Sequence, residues 1–362
     1  LEGGTISGDV TISGDLTVNG DGSGNYDEIV NGNLAVGATD KIYLDGGSDT
    51  YIHEVSADQM NIVCGGQTIL EIVEAGGGDS DWVAIQALNK LYLDGGGDTY
   101  IHESAADTIG FATGGSARMV IDANSRISLS NNDSGTSNTV FGKLAGNALA
   151  SGGDYNIFLG EDAGKVLQTG DRNTVIGYDA YDAADGAETD NMAIGYGALS
   201  NLNNDSATRN IVIGNNAGDG MGTLASLDNI FLGHDAGGGS WTGTLSSYNV
   251  GIGNYTLDAA MNGATYNTAV GYNAGGAIIN AGNGVYIGAN AGVLNASGSD
   301  STVIGSGAGE SATDLDWAVL VGRGAGGSIN AAGGDGTVAV GYSALTALTS
   351  GAGNVAVGYQ SL

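Results

Sequence analysis

An eight-residue motif that recurs through residues 132–362 constrains the fold of this chain more than any other feature. It reads Asn173-Thr-Val-Ile-Gly-Tyr-Asp-Ala180, and close variants occupy residues 210–217, 267–274 and 354–361. Its central glycine occurs 13 times, at spacings of 17 to 20 residues with a mean of 18. These repeat glycines are Gly142, Gly160, Gly177, Gly195, Gly214, Gly233, Gly253, Gly271, Gly288, Gly305, Gly322, Gly341 and Gly358. A period near 20 residues built on a short strand-like motif predicts a solenoid, so we expect an all-β roll of 13 coils.

Two apolar rows precede the repeat glycines, from which positions are counted here. Position −1 is apolar in every copy, and position −2 is apolar in most. Successive residues of a strand point to opposite faces, so both faces of this strand require burial. We expect one row to form the interior of the coil and the other to bury itself in a homo-oligomer. The residues taken as the structural core of the repeat are those at −1: Ile176, Ile194, Ile213, Leu232, Ile252, Val270, Ile287, Ile304, Val321, Val340 and Val357.

Position −4 is asparagine in most copies, which predicts a ladder of stacked amides. Asparagine also tolerates the backbone angles of turns. The members of the predicted ladder are Asn156, Asn173, Asn191, Asn210, Asn229, Asn249 and Asn267.

Two further segments precede the array. Residues 1–25 repeat Gly-Asp-hydrophobic-Thr-hydrophobic with a six-residue period, as in Gly8-Asp-Val-Thr-Ile12, and this alternation predicts a short β-stalk. Residues 26–131 contain a duplication, with copies at 41–73 and 90–122. Each copy has two alternating segments separated by an Asp-Gly-Gly turn, which predicts a β-hairpin.

Composition narrows the classes of function. Glycine accounts for 68 of 362 residues and proline is absent, which suits short strands joined by tight turns. The formal net charge of −31 disfavours nucleic acid and anionic membranes as partners. The sequence contains no run of 18 apolar residues, so it predicts no membrane-spanning helix. Cys64 is the single cysteine, so an intrachain disulfide is excluded. Because the chain starts at Leu1 and stops within a repeat, we expect it to be a fragment or processed piece of a longer protein.

The motif Asn-Thr-Val-Ile-Gly-Tyr-x-Ala resembles the head repeats of YadA-type trimeric autotransporter adhesins. Together with Thr-Ile-Ser-Gly-Asp-Leu-Thr-Val-Asn-Gly and Lys90-Leu-Tyr-Leu-Asp-Gly-Gly-Gly-Asp-Thr-Tyr-Ile101, it more closely resembles the tail fibre proteins of bacteriophages. The resemblance covers nearly the whole chain. It implies a homotrimeric fibre in an extracellular virion tail, with other tail proteins and a host-surface glycan or outer-membrane receptor as partners. The alternatives are the head of a bacterial surface adhesin and a glycan-depolymerising tailspike. The mean period of 18 is longer than is usual in the adhesins.

Few residues suggest metal or catalytic chemistry. His53 and His102 are equivalent in the duplication and are weak metal candidates, because a trimer would bring three of each together. Asp45-Gly-Gly-Ser-Asp49 and Asp94-Gly-Gly-Gly-Asp98 resemble calcium turns but lack the full spacing of calcium repeats. Asp-Gly is equally typical of an ordinary hairpin turn. No nucleophile–base pattern stands out, so we expect neither an enzyme nor a cofactor, with calcium as the one candidate.

Aromatic residues are the better indication of a binding function. Five of them lie in variable segments and are candidate glycan contacts, because aromatic faces pack against the CH-rich faces of sugars: Trp241, Tyr248, Tyr155, Tyr266 and Trp317. Tyrosines also follow the repeat glycine in several copies, and these would form either a binding row or a structural stacking ladder. Loops on a rigid scaffold are common recognition sites, so we expect any glycan recognition to belong to the variable half-coils.

Overall fold

The computed structural model describes residues 39–44, 49–56, 58–74, 82–85, 90–95, 97–105, 108–121, 127–128, 137–330 and 334–362. Every regular element in these residues is a β-strand, and none of them belongs to a helix that could cross a membrane. The prediction of an all-β fold is therefore confirmed for the described residues. The predicted β-stalk at residues 1–25 lies outside them, as does most of the turn that begins at Asp45. The chain divides into two compact units, residues 1–89 and 90–362.

Each copy of the duplicated segment contributes four strands to a five-stranded antiparallel sheet, and the fifth strand follows the copy; the strands pair in chain order. The first sheet contains β1 (Lys41–Tyr43), β2 (Tyr51–Ser56), β3 (Gln59–Cys64), β4 (Gln67–Val73) and β5 (Trp82–Ile85). The second contains β6 (Lys90–Tyr92), β7 (Tyr100–Ala105), β8 (Thr108–Thr113), β9 (Ser116–Ile121) and β10 (Ile127–Ser128). The registers are equivalent, because Lys41 pairs with His53 in one sheet and Lys90 with His102 in the other.

The two faces of these sheets differ in chemistry. On one face the Nζ of Lys41 lies 3.7 Å from the ring centroid of Tyr51, and Lys90 lies at the same distance from Tyr100. On the other face apolar side chains such as Ile42 and Met60 remain 39% and 40% exposed. An apolar face of this kind requires a further layer.

The repeat array forms a 13-stranded parallel sheet in which each strand pairs with the next along the chain. Its strands are β11 (Thr139–Phe141), β12 (Ile157–Leu159), β13 (Thr174–Ile176), β14 (Met192–Ile194), β15 (Ile211–Ile213), β16 (Ile230–Leu232), β17 (Val250–Ile252), β18 (Thr268–Val270), β19 (Val285–Ile287), β20 (Thr302–Ile304), β21 (Val319–Val321), β22 (Val338–Val340) and β23 (Val355–Val357). Each strand precedes one repeat glycine, and the pairing aligns equivalent positions, as in Val175 with Ala193. This is a β-solenoid of about 18-residue coils, which we number 1 to 13 by their glycines.

The side chain at −2, and not the one at −1, faces the interior of the coil. Val175, Val212 and Phe231 are fully buried, whereas the −1 residues are half-buried or exposed, as with Ile252 at 40%. The prediction that the −1 row forms the core of the repeat is therefore wrong for the coil interior and is corrected for Ile176, Ile194, Ile213, Leu232, Ile252, Val270, Ile287, Ile304, Val321, Val340 and Val357. The physical reason is the direction in which the chain turns after the repeat glycine.

That turn is produced by backbone angles that recur in every coil. In coil 5, Asn216 and Gly218 at +2 and +4 have φ values of 53° and 59°. The equivalent residues of coil 6, Asp235 and Gly237, have φ values of 52° and 65°. Left-handed residues reverse the local direction of the chain, and here they bring the +3 alanines, such as Ala217, into the same interior as the −2 row.

Bulky interior side chains of the −2 row pack beside glycines, either in the next coil or in their own coil. Phe231 in coil 6 lies over Gly251 in coil 7, where an added Cβ would be 3.0 Å from the Phe231 ring. In coil 9, Tyr286 occupies the −2 position, and a Cβ on Gly284 would be 2.4 Å from its ring. Protein interiors are packed at nearly constant density, so a bulky residue in one coil requires a small one beside it. The −2 row therefore contains glycine and alanine as well as large residues.

The asparagines at −4 form a buried hydrogen-bonded ladder. Asn210 Oδ1 accepts a bond from the backbone N–H of Asn229 at 3.2 Å and from Asn229 Nδ2 at 3.1 Å. Asn229 Nδ2 also donates to the carbonyl of Ser246 at 3.1 Å. The bond from a −4 backbone N–H to the Oδ1 of the −4 asparagine in the preceding coil recurs in successive coils from Asn138 to Gly284. Because buried polar groups are costly when unpaired, this ladder fixes the stacking register.

Candidate functional site: the outer face of the solenoid sheet

The residues at −3 and −1 point away from the coil interior and form an uncharged surface, which we call the apolar strip. It runs from Thr139 and Phe141 in coil 1 to Val355 and Val357 in coil 13. Four of its residues are threonine, and the others are Ile, Val, Leu, Met or Phe. No strip residue is charged although the chain carries −31. Since monomeric proteins rarely expose long apolar patches, such a surface indicates contact with another molecule.

Two columns of side chains border the apolar strip, one at −5 and one at +1. The −5 column contains Ser137, Tyr155, Arg172, Asp190, Arg209, Asp228, Tyr248, Tyr266, Asn283, Asp300, Trp317, Gly336 and Gly353. All 13 of these residues have φ between 54° and 70°. This region favours glycine, asparagine or aspartate and costs other residues about 1–2 kcal/mol.

Aromatic residues nevertheless occupy the −5 column in four coils. Tyr155, Tyr248, Tyr266 and Trp317 have φ values of 59°, 63°, 60° and 54°. Their side chains are 60%, 43%, 58% and 65% exposed. The backbone does not favour aromatic residues here, and the coil interior does not use them. Exposed side chains in unfavourable backbone regions often belong to contact sites, so this column is a candidate contact site.

The structure brings four of the five predicted glycan contacts into that one column and separates the fifth from it. Trp241 is 5% exposed and packs edge-on against Phe231, with ring centroids 5.9 Å apart. Its prediction as a surface contact is therefore corrected, because a buried indole cannot reach a glycan. The sequence signal that distinguishes Tyr155, Tyr248 and Tyr266 from Trp241 is the ladder asparagine that directly follows each of them. Trp317 lacks this signal, because Ala318 follows it.

Stacking between coils limits which aromatic faces are free. The rings of Tyr248 and Tyr266 are parallel within 1° and their centroids are 4.8 Å apart, so each covers one face of the other. In the +1 column, Tyr178 stacks on Tyr196 at 5.8 Å. Parallel rings at the coil spacing are typical of a structural stacking ladder. Trp317 takes part in no such stack within the described residues.

Charged residues in the −5 column neutralise one another. Arg172 donates to Asp190 from Nε at 2.6 Å and from Nη2 at 3.1 Å. Arg209 makes the same two-pronged contact with Asp228 in the next pair of coils, at 2.6 and 2.7 Å. Each arginine lowers the pKa of its carboxyl partner by hydrogen bonding. The border of the strip is therefore locally neutral at coils 3–6.

A group of carboxyl groups lies away from the strip, on the corner that follows the strands of coils 5–7. Burial, with a smaller contribution from the negative charges of Asp235 and Asp219, raises the pKa of Asp258 from 3.8 to about 6, and His234 opposes this rise. Burial also raises the pKa of Asp219. When these carboxyl groups are ionised, their partial burial and mutual repulsion therefore destabilise this corner.

Lowering the pH from 7 to 5 is expected to stabilise this corner, and Asp258→Asn should give a similar gain at pH 7. Between pH 3.8 and about 6 the folded Asp258 binds more protons than the unfolded one, so the free energy of unfolding falls as pH rises through that window. After allowance for solvent screening, the contribution is about 1 kcal/mol. Urea unfolding at pH 5 and pH 7 measures it, and an undiminished pH dependence in Asp258→Asn would contradict the assignment.

The predicted metal residues lie on the antiparallel sheets. The imidazole centroids of His53 and His102 each lie 5.0 Å from the centroid of a tyrosine ring. Their Nδ1 atoms are buried without a hydrogen-bond partner. In the second calcium-like turn, the Asp94 carboxylate accepts bonds from the N–H groups of Gly97, Asp98 and Thr99 at 3.0, 2.9 and 2.9 Å. Those bonds lower the pKa of Asp94 and account for the aspartate as a turn residue. Within the described ranges no three His, Cys, Asp or Glu side chains are arranged to hold a metal ion.

Comparisons with known proteins do not place the chain in a family. No protein-family model, curated protein or solved structure matches it. The likeness to adhesin heads and tail fibres therefore rests on the motifs alone, and the functional argument rests on the geometry of the strip and its borders.

Proposed function

We propose that this chain is a structural and adhesive fibre segment whose solenoids associate side by side through the apolar strip. The observation that carries the proposal is the strip itself, which is uncharged over all 13 strands of a chain with net charge −31. With strands about 4.8 Å apart, the strip is about 58 Å long.

A second copy of the same strip is the partner that fits best. Two such surfaces meet without burying a charge, and burial of isolated charges is what most opposes association. The −5 border also suits an interface, because tyrosine, tryptophan and arginine are enriched in interfaces between proteins. At the −5 border, Tyr248, Tyr266 and Trp317 supply the aromatic groups and Arg172 and Arg209 supply the guanidinium groups.

The resemblance to trimeric adhesin heads and tail fibres favours three copies around one axis. In this arrangement the −1 and −3 rows face the axis, and the corners with their variable half-coils face outward. We propose that the assembled shaft belongs to a virion tail fibre and presents its outward surface to a glycan on the host cell. Its contribution is rigidity and recognition rather than catalysis.

The mass of the chain in solution tests the assembly. A trimer is expected at three times 35.7 kDa, or about 107 kDa, by light scattering coupled to gel filtration. The mass should persist in high salt, because burial of apolar surface is not screened by ions. A clean mass of 35.7 kDa would refute the assembly.

A further inference from the structure

A polar groove lies on the outward corner of coils 9–12, away from the residues predicted as glycan contacts. Its volume is about 530 Å³, which is within the range of small-molecule sites. The groove follows the +1 to +6 segments of four successive coils, between Asn290 at one end and Thr346 at the other.

The groove exists because side chains are missing where other coils have carboxylates. At +2 and +5 of coil 11 the residues are Gly324 and Gly327, and at +2 of coil 10 the residue is Gly307. The same corner of coils 5–7 contains the acidic residues Asp219, Asp235 and Asp258. Charge is therefore segregated along one corner of the solenoid, with an acidic stretch followed by an open, nearly neutral one.

Serine hydroxyls line the groove with unused hydrogen-bonding capacity. Ser311, Ser328 and Ser343 are half-buried in its wall, and none makes a side-chain hydrogen bond to another described residue. Elsewhere in the solenoid, several serine hydroxyls are used by the fold. Ser301 Oγ donates to the carbonyl of Leu315 at 2.7 Å, for example. Hydroxyls that both donate and accept suit a ligand that also has hydroxyl groups.

Arg323 supplies the groove with a positioned cation. Its Nη1 donates to the hydroxyl of Tyr342 at 2.9 Å, and the guanidinium carbon lies 5.6 Å from that ring. Tyr342 is held in turn by stacking on Tyr359 at 5.3 Å. Unlike Arg172 and Arg209, Arg323 has no carboxylate within 4 Å among the described residues. A guanidinium has five N–H donors, so most of them remain available to a ligand.

Glu310 supplies the complementary acceptor. It lines the same groove as Arg323, and the two do not form an ion pair. The formal charge of the lining is therefore zero, one arginine against one glutamate, while the chain as a whole carries −31. A guanidinium and a carboxylate that are not paired with each other and lie among hydroxyls can bind adjacent hydroxyl groups on a sugar ring.

We propose that this groove is a binding site for an uncharged saccharide, with Arg323 donating to and Glu310 accepting from its hydroxyl groups. The proposal rests on the adhesive part of the proposed function and gives it a different site from the aromatic column. An uncharged ligand is favoured over a phosphate or carboxylate, because a single arginine opposes the field of a strongly acidic chain.

The test is binding of the full chain to printed oligosaccharides. The set contains uncharged glucose, mannose, galactose and N-acetylhexosamine oligomers together with sialylated and sulfated ones. The best uncharged oligomer is then titrated by calorimetry. Arg323→Gln and Glu310→Gln are each expected to weaken its binding at least ten-fold. Arg118→Gln is the control, since it removes an arginine on strand β9, outside the groove and outside the apolar strip and its borders, and should leave binding unchanged.

Three outcomes would overturn the proposal that the groove binds an uncharged saccharide. These are no binding to any uncharged oligomer, a preference for the sialylated or sulfated ones, and groove variants that bind as the unsubstituted chain does. A loss of binding in Trp317→Ala with the groove variants unaffected would assign recognition to the aromatic column. Each variant is first checked for an unchanged melting temperature and mass, which is expected because both groove side chains are exposed. If the chain assembles but binds no sugar, only the proposal of a saccharide site in the groove is refuted. If the chain is a monomer that binds sugar, only the proposed assembly is refuted.

Discussion

Gly214→Ala is expected to prevent coil 5 from stacking on coil 6 and so to interrupt the solenoid. The φ of Gly214 is 148°, in a region that is essentially restricted to glycine. An added Cβ would lie 2.0 Å from the carbonyl oxygen of Gly233 and 2.5 Å from its carbonyl carbon in the next coil. The obstacle is backbone, which cannot move unless the two coils separate.

The expected cost exceeds about 4 kcal/mol, which is exceptional for one substitution. The same close approach recurs in the 12 copies from Gly142 to Gly341, where an added Cβ would be 2.0 to 2.9 Å from the next glycine's oxygen. The repeat glycine is therefore required by the stacking of coils as well as by its own φ.

Gly336→Ala provides the matched control for this prediction. Gly336 has a φ of 64° and open space around an added Cβ, so its alanine variant should lose only about 1–2 kcal/mol. Urea unfolding followed by circular dichroism compares the two variants. Equal losses would show that backbone strain alone, and not the clash between coils, determines the effect.

Val212→Asp and Ile213→Asp are expected to have different consequences although they are adjacent. Val212 is fully buried among interior side chains that include Leu199 and Met221. A carboxylate there has no partner, costs several kcal/mol, and should unfold the chain. Ile213 points outward into the apolar strip, so its aspartate variant should keep the β-solenoid but lose the oligomer.

Circular dichroism and solution mass together separate these outcomes. Ile213→Asp should retain the β spectrum at a mass of 35.7 kDa, whereas Val212→Asp should lose the spectrum. Asn201→Asp is the control, because it adds the same charge at an exposed position on the variable half of coil 4. If Ile213→Asp keeps the mass of the unsubstituted chain, the strip is not the interface.

Much of the solenoid could be predicted from the sequence because its determinants are local and periodic. The repeat glycine, the short apolar strand before it and the asparagine at −4 recur at nearly constant spacing. Each places the same element at the same point of every coil. The all-β fold and the amide ladder follow from that repetition. The two antiparallel sheets likewise follow from the alternation around their turns.

The candidate sites depended on information that periodicity does not contain. Trp241 and Trp317 both lie in variable half-coils, yet one is 5% and the other 65% exposed. The groove around Arg323 was missed because its features, small residues at +2 and +5 of adjacent coils, meet only after the coils stack. A run of Gly-x-Gly after the repeat glycines is the signal that could have found it.

The sequence by itself determined where each strand lies and that both of its faces are apolar. Only the tertiary structure decided that Val175 is inside the coil and Ile176 outside it. Alternation along a strand separates two faces but does not distinguish them. The distinction comes from the left-handed residues at +2 and +4, which turn the chain toward one face, and from the constant volume that the stacked coils must share.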